Sequence, residues 1–121
     1  MSYEVNIVEE KGFSIKAPTV IEGFPDVGLV GTIASLYIVE QLKLPQVAHI
    51  ESRLLPPVMV LHEGALTEPL RIFGKAGLVV VTSEIAIPPA AIYPITERLA
   101  QWFEDKDVSM LVSLTGVPIQ N

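Results

Sequence analysis

The chain has 121 residues, of which half are hydrophobic and 18% are charged, and its 14 acidic and 8 basic residues give a formal net charge of −6. This length suffices for one domain with a sizeable core, and the scattered Lys and Arg residues form no basic stripe that would bind nucleic acid. Charges or prolines interrupt every apolar run before it could span a membrane. The absence of cysteine excludes disulfides and thiolate chemistry, and we expect the reducing cytoplasm as the location.

The first part of the chain predicts a strand–helix–strand unit. Residues 5–8 are a short extended candidate, and Thr19–Gly23 is apolar enough to form a strand. A helix is predicted over about 27–43, where Pro45 ends it, and Gln46–Ser52 predicts the next strand. The crossover of such a unit is right-handed.

The predicted helix at 27–43 is apolar on nearly every side. Thr32, Ser35 and Lys43 form only a thin polar line along it. A surface helix normally carries a broad polar face, so we expect this helix to be covered on more than one face. Together with the hydrophobic surplus of the whole chain, it predicts either a homo-oligomeric interface or a missing part of the domain.

The middle of the chain predicts an antiparallel hairpin with a long tip. Two apolar runs at 58–61 and 70–73 flank a polar loop at 62–68. A turn at 74–77 then leads into a continuous β-branched run at 78–81, which is typical of a buried central strand.

The last part predicts a second strand–helix–strand unit. Apolar residues recur at helical spacing from Ile92 to Phe103, and Pro94 suits the first turn of that helix. Residues 108–114 predict the closing strand. The fold class expected is therefore α/β, a three-layer α/β/α arrangement with a mixed, mostly parallel sheet and helices on its faces.

Polar residues follow the strands at the points where the strands end, at 22–26, 51–53, 82–84 and 115–116. Carboxyl ends of parallel strands form the binding crevice of open α/β sheets, although strand ends are also polar simply because the chain enters solvent there. Glu22 and Glu84 are the carboxylates to consider as an acid–base pair, with a cap and a rim charge as the alternative. No nucleophile elbow and no metal-spaced histidines occur, so the sequence predicts no catalytic residue, no metal and no cofactor.

The turn between the first strand and the first helix reads Gly-Phe-Pro-Asp-Val-Gly-Leu-Val-Gly, residues 23–31. Gly23 permits a backbone angle that a side chain forbids, Asp26 is a ready helix cap, and Gly28 and Gly31 would let another backbone or a ligand approach. Asp26 would repel a phosphate, which argues against a nucleotide site. The candidate binding residues of this turn and crevice are Gly23, Phe24, Pro25, Asp26, Gly28, Gly31, Ser83 and Glu84.

This nine-residue block, followed by an apolar helix, resembles the signature of the proteasome assembly chaperone 2 family. Leu54-Leu55-Pro56-Pro57, the strand at 77–82 and the Pro88-Pro89 loop follow in the order of that family, so the resemblance extends from about Thr19 to Pro118. It implies a phosphorylase/hydrolase-like fold and a role in assembling the proteasome core particle. Family members are about twice this length, so we expect residues 1–121 to be one α/β domain that forms the N-terminal part of a longer one.

The resemblance favours a non-enzymatic, cytoplasmic assembly factor that self-associates and binds proteasome α-type subunits, with no nucleic acid or membrane as partner. Some members dock through a C-terminal hydrophobic-tyrosine-any-residue tail, which the ending at 118–121 does not match. The alternative is a nucleoside phosphorylase/hydrolase-like enzyme with its site at the carboxyl ends of the strands. The candidate interface residues, on two proline-rich loops, are Leu54, Leu55, Pro56, Pro57, Ile87 and Pro88. The same loops would also be covered if a longer chain folded over them.

Overall fold

A six-stranded mixed sheet is the centre of the structure, a computed structural model that describes residues 5–119. The expectation about the C-terminal tail, residues 118–121, therefore lies partly outside the described residues. In chain order the strands are β1 (Val5–Glu9), β2 (Thr19–Gly23), β3 (Gln46–Ser52), β4 (Val60–His62), β5 (Ala65–Thr67), β6 (Leu70–Lys75), β7 (Leu78–Ser83) and β8 (Met110–Ser113). The helices are α1 (Val30–Leu42) and α2 (Pro89–Asp105), and a 3₁₀ turn, Val27–Leu29, precedes α1.

The main sheet has the order β1-β3-β6-β7-β2-β8. The strand β2 pairs in parallel with β7 and β8, whereas β1–β3, β3–β6 and β6–β7 are antiparallel. The prediction of a mixed sheet is confirmed. The expectation that the sheet is mostly parallel is wrong, because two of its strand pairs are parallel and three are antiparallel. The antiparallel connection of β6 to β7 needs no crossover helix, whereas α1 connects β2 to β3 and α2 connects β7 to β8.

The two helices pack against different side chains of the same central strand. Val79 and Val81 of β7 belong to the larger core cluster, together with Ala91, Ile95 and Leu99 of α2. Val80 belongs to a second cluster, with Ile38 and Val39 of α1 packed against it. Because side chains alternate along a strand, the continuous apolar run at 78–81 supplies both clusters, as its sequence predicts.

The helix α2 begins earlier than expected, so Pro94 lies inside it rather than in its first turn. Pro89 occupies the first turn instead, where a missing amide hydrogen costs little. Near its other end, the indole of Trp102 stacks on Phe13, and Nε1 donates a 2.7 Å hydrogen bond to Glu9 of β1. Burial raises the pKa of Glu9, but hydrogen bonds from Lys106 and Trp102 outweigh burial and hold that pKa below its usual value. These contacts join α2 to the β1 edge of the sheet.

The small polar residues of α1, Thr32 and Ser35, face the main sheet. The Thr32 hydroxyl donates to the Ser83 carbonyl at 2.9 Å, and the Ser35 hydroxyl lies 2.8 Å from that of Thr82. The apolar residues Ile33 and Tyr37 are 61% and 62% exposed. Within residues 5–119 this outer side is uncovered, whereas Thr32, Ser35 and, in the second core cluster, Ile38 and Val39 face the sheet. The expectation that a subunit interface or a further part of the domain covers the outer side stays a prediction.

The hairpin predicted between 58 and 73 is organised differently from the expectation. A two-residue turn, Glu63–Gly64, joins β4 to β5 as a separate two-stranded sheet, so the long polar tip is wrong. The strand β6 pairs in the main sheet and is joined to β7 by another two-residue turn, Ala76–Gly77. Both residues of each turn have positive φ, which a type I′ hairpin turn requires. Neither helix in the described part of the chain is long and apolar enough to cross a membrane.

The first test concerns Ala76, an exposed residue with a φ of 52°. Asparagine tolerates the left-handed region better than alanine, so Ala76→Asn should raise the free energy of unfolding by about 0.5–1 kcal/mol. At the same site Ala76→Val should lower it by about 1 kcal/mol or more, because a β-branched residue is strained there. Urea denaturation of both variants measures the difference, and equal effects of Asn and Val would contradict the assigned turn.

Candidate functional site

Gly23 and Gly31 of the 23–31 block, together with Gly116, lie where three backbone segments meet, and we call this place the glycine junction. A Cβ on Gly23 would overlap the Gly31 carbonyl oxygen, and one on Gly31 would lie 2.7 Å from the carbonyl oxygens of both Phe24 and Leu114. A Cβ on Gly116 would overlap the carbonyl oxygen of Val27. Only glycine permits such approaches, so β2, α1 and the segment after β8 are held in backbone contact.

Asp26 fastens the same three segments through its carboxylate. Oδ1 accepts the amide of Gly31 at 3.1 Å, in the first turn of α1, and Oδ2 accepts the amide of Gly116. Asp26 accepts a first-turn amide of α1 as expected, although Leu29 and not Asp26 occupies the N-cap position, and it also binds a residue far along the chain. These two amides, Gly116 first, hold the pKa of Asp26 below its usual value, because they stabilise the charged carboxylate.

The entry to α1 is strained beside this carboxylate. Gly28 has a φ of 68°, and Leu29, which has a side chain, has a φ of 58°. The left-handed region is unfavourable for leucine, and here the surrounding structure imposes it. Leu29 is nevertheless half exposed, as are its neighbours Val27 and Val30. The motif therefore directs Gly23, Gly31 and Asp26 inward and Val27, Leu29 and Val30 outward.

Polar groups at the carboxyl ends of the strands are largely used within the protein. The Glu22 carboxylate accepts the amide of Phe24 at 2.9 Å and the hydroxyl of Ser113. The Thr82 hydroxyl donates to the Gly23 carbonyl at 3.2 Å, and Ser83 exchanges hydrogen bonds with the backbone of Ile85. Of the candidate binding residues, the structure brings Gly23, Phe24, Asp26 and Gly31 together, with Pro25 half buried among them and Gly28 exposed.

Glu84 lies in a different environment from Glu22. Its carboxylate bridges Arg71 and His62, each at 2.7 Å, and its side chain is only 12% exposed. Arg71 is equally buried, and its Nε finds no hydrogen-bond partner among the described residues. The carboxylates of Glu22 and Glu84, considered as an acid–base pair, thus bind different neighbours. Within residues 5–119 no group of three or more His, Asp or Glu residues is arranged to hold a metal ion.

The proline-rich loops are partly engaged in the core. Leu54, Leu55 and Ile87 are half buried and pack against the larger cluster, whereas Pro56 and Pro57 are exposed. Pro88 immediately precedes α2. Their role as interface residues stays a prediction. The sequence singled out the apolar helix at 27–43 as a possible interface but not the side chains that form it. The structure exposes one apolar side of the 3₁₀ turn and α1, which we call the α1 outer face; it consists of Val27, Leu29, Val30, Ile33 and Tyr37.

Comparisons with known proteins agree with this geometry. Residues 20–121 match the model of the PAC2 family. The chain belongs to the PAC2 family. The resemblance inferred from the 23–31 block is confirmed, and that block is the glycine junction.

This PAC2 chain is similar to three proteins from Methanocaldococcus jannaschii and Pyrococcus furiosus. An uncharacterized protein of Methanocaldococcus jannaschii is 30% identical over 93% of the chain and 48% of its own length. The crystal structure of Pyrococcus furiosus PbaA, described as an archaeal homolog of proteasome-assembly chaperone, superposes with a TM-score of 0.86 at 30% identity over 95% of this chain and 50% of PbaA. Pyrococcus furiosus PbaB, an archaeal proteasome activator, shares the fold, with a TM-score of 0.78 at 21% identity over 98% of this chain and 55% of its own. The chain spans about half the length of these relatives.

A methyl group at the glycine junction should disrupt the PAC2 chain. Gly31→Ala would normally stabilise a helix, but here the added Cβ meets two carbonyl oxygens, so it should lower the free energy of unfolding by about 1–3 kcal/mol. Gly74→Ala is the matched control, since its Cβ would make only ordinary contacts, 3.4 Å and longer. Comparable urea midpoints for the two variants would contradict the close approach at Gly31.

The lowered pKa of Asp26 predicts a pH dependence of stability. The folded state favours the charged carboxylate, so this contribution is complete above about pH 4, near the pKa of an unperturbed aspartate, and is lost as pH falls through the folded pKa. Asp26→Asn should lower the unfolding midpoint at pH 7 and reduce its further loss towards pH 3. Urea titrations at both pH values measure this, with the exposed Asp105→Asn as the control. If the unfolding midpoint of Asp26→Asn fell between pH 7 and pH 3 by as much as that of the unsubstituted protein, the role of the carboxylate would be refuted.

Proposed function

We propose that this PAC2 protein is a non-enzymatic assembly factor that self-associates and binds α-type subunits of the proteasome core particle. The observation that carries the proposal is the similarity to PbaA over 95% of the chain, with a TM-score of 0.86 and 30% identity. The family match over residues 20–121 supports it. We place this role in the cytoplasm, in accord with the absence of cysteine.

The α1 outer face offers a surface for such contacts. Its five apolar side chains are each between 46% and 62% exposed, and they come from the 3₁₀ turn and the beginning of α1 that follows it. Apolar patches of this kind on a folded protein commonly mark protein–protein contacts. Tyr37 adds an aromatic ring with a polar tip, the type of residue enriched at interface centres. The backbone that presents Leu29 is strained, which is a common property of functional surfaces.

The proposed mechanism is mass action. A partner that binds exposed assembly surfaces stabilises the intermediate to which it is bound and removes that intermediate from wrong associations. Such a role needs surface complementarity and no reacting group. The acidic net charge of −6 would add electrostatic complementarity to a basic partner surface.

We further infer that the fold is a three-layer, phosphorylase/hydrolase-like arrangement, with residues 1–121 forming the N-terminal part of a longer domain. The separate clusters of α1 and α2 on alternate side chains of β7 support the layers. The lengths of the relatives, about twice that of the chain, support the longer domain. An enzyme of the phosphorylase kind would need an anion site, and at the glycine junction the amides of Gly31 and Gly116 already bind Asp26.

A charge on the α1 outer face tests the proposal. Ile33→Glu places a carboxylate where an apolar contact would form, so it should weaken association with purified α-type subunits of the source organism at least tenfold. Gln101→Glu, on the exposed side of α2, adds the same charge elsewhere and should leave association unchanged. Size-exclusion chromatography with light scattering, together with titration calorimetry, measures self-association and subunit binding separately.

The proposal fails if the unsubstituted protein neither self-associates nor binds the subunits at micromolar concentration. It also fails if the protein instead turns over nucleosides with phosphate at enzymatic rates. If binding occurs and Ile33→Glu leaves it unchanged, the assignment of the α1 outer face is wrong while the function stands.

A further inference from the structure

An open groove lies at the base of the hairpin that β4 and β5 form, and we call it the base groove. It has a volume of about 280 Å³ and lies between the end of β3, the proline-rich loop and the two ends of the hairpin. Its wall is mostly apolar, and the apolar side chains are those of Ile50, Leu55, Pro56, Pro57, Val58 and Met59. Met59 is 53% exposed, and both prolines are exposed as well. The base groove is therefore an apolar surface that another molecule can reach.

The hairpin extends this apolar surface. Leu61 of β4 and Leu66 of β5 are a cross-strand pair, and each is 67% exposed. The residue after Leu61 is His62, whose Nε2 lies 2.7 Å from Oε2 of Glu84, so His62 faces the main sheet. Because side chains alternate along an extended chain, Leu61 faces the other way, on the same side as Met59. The apolar surface thus continues from the base groove along the outer side of the hairpin.

Two carboxylates give the base groove a negative rim. Glu51 of β3 and Glu68, which follows β5, belong to its wall, and their side chains are 60% and 31% exposed. Each places its Oε1 near a ring nitrogen of His49, at 2.9 Å and 3.2 Å respectively. Within residues 5–119 no lysine or arginine forms an ion pair with either carboxylate. A cation from another molecule can therefore pair with both of them.

The apolar wall and the acidic rim together define the chemistry of the occupant. A purely apolar residue would leave both carboxylates without a cation, and an inorganic cation would leave the apolar wall in water. A lysine or arginine side chain has an apolar stem and a cationic head. The stem can pack along Met59 and Pro57 while the head binds Glu51 and Glu68. Apolar residues that alternate with polar ones in the same extended segment then contact Leu61 and Leu66.

We propose that the base groove and the outer side of the hairpin bind an extended segment of a partner protein, in which alternating apolar residues precede a lysine or arginine. Charge complementarity selects this basic partner and disfavours acidic segments. The groove lies at β3, whereas the chain leaves the sheet at β8, on its far edge, where Asp26 binds the amide of Gly116. The surface shares no residue with the α1 outer face, and the proposal does not depend on whether the partner is a proteasome subunit.

A short peptide titrated into the full chain and followed by NMR tests the proposal. The probe is acetyl-Leu-Ser-Leu-Ser-Arg-amide, whose alternate side chains share one side when it is extended. At millimolar concentration it should shift the signals of residues 50–68 and leave those of α2 unchanged. A glutamate in place of the peptide's arginine should weaken binding about tenfold or more, and serines in place of both leucines about fivefold or more. These two peptides separate the contribution of charge from that of apolar contact.

Variants of the protein locate the site. Glu51→Gln and Glu68→Gln keep the shape of each side chain and remove its charge, so each should weaken binding of the arginine peptide about three- to tenfold. Met59→Gln keeps the size and loses the apolar character, and it should weaken binding about threefold. Glu97→Gln, which removes an exposed carboxylate on α2, is the matched control and should leave binding unchanged. Urea midpoints show that each variant is folded.

The proposal is overturned if the arginine and glutamate peptides bind equally, or if Glu51→Gln and Glu68→Gln both bind as the unsubstituted protein does. It is also overturned if no signal of residues 50–68 shifts, as when another part of a longer chain fills the groove. Shifts of these signals on dilution of the protein alone would assign the groove to a second copy and overturn it too. The test with Ile33→Glu concerns a different surface, so the two proposals can fail separately.

Discussion

The backbone contact between Gly23, Gly31 and Gly116 is the constraint on which the arrangement of the fold depends. It sets the distance of α1 from β2 and holds the segment after β8 against the beginning of the helix. Asp26 accepts hydrogen bonds from the amides of Gly31 and Gly116 at this contact, so these two amides remain paired although no side chain fits between the backbones. Since a carboxylate occupies the helix amides, the region that a strand–turn–helix sequence offers to an anion serves to hold the fold together.

The same closeness explains the unusual orientation of α1. A helix lying so near a sheet has room for small side chains at the contact, and Thr32 and Ser35 fill it while bonding to carbonyls of β2 and β7. Ile38 and Val39 pack in the second core cluster, whereas Val30, Ile33 and Tyr37 lie on the α1 outer face. One local geometric demand therefore produces both the structural role of the family's signature and the exposed apolar surface to which we assign partner binding.

Much of the fold was predictable from the sequence, since periodicity and β-branched runs locate most strands and both helices. The errors share a physical cause. The inward side of α1 depends on acceptors near Gly23 and Ser83, and a hydrophobicity pattern cannot show these. The tight turn at Glu63–Gly64 was missed because glutamate seldom adopts positive φ. The sequence named both the glycine block and Glu84 as candidates. The contacts within the block are largely local, but those of Glu84 with Arg71 and His62 join residues 13 and 22 positions apart, which a sequence pattern does not show.

The position of Trp102 has a practical consequence. It is the single tryptophan of the chain, and it contacts Phe13, Lys106 and Glu9 where α2 meets the β1 edge. The side chains of α1 belong to the other core cluster. Tryptophan fluorescence therefore reports on the packing of α2 against the β1 edge, whereas far-ultraviolet circular dichroism reports on the helical content of both helices. The two spectroscopic signals together distinguish detachment of one helix from cooperative melting of the whole molecule, without any added label.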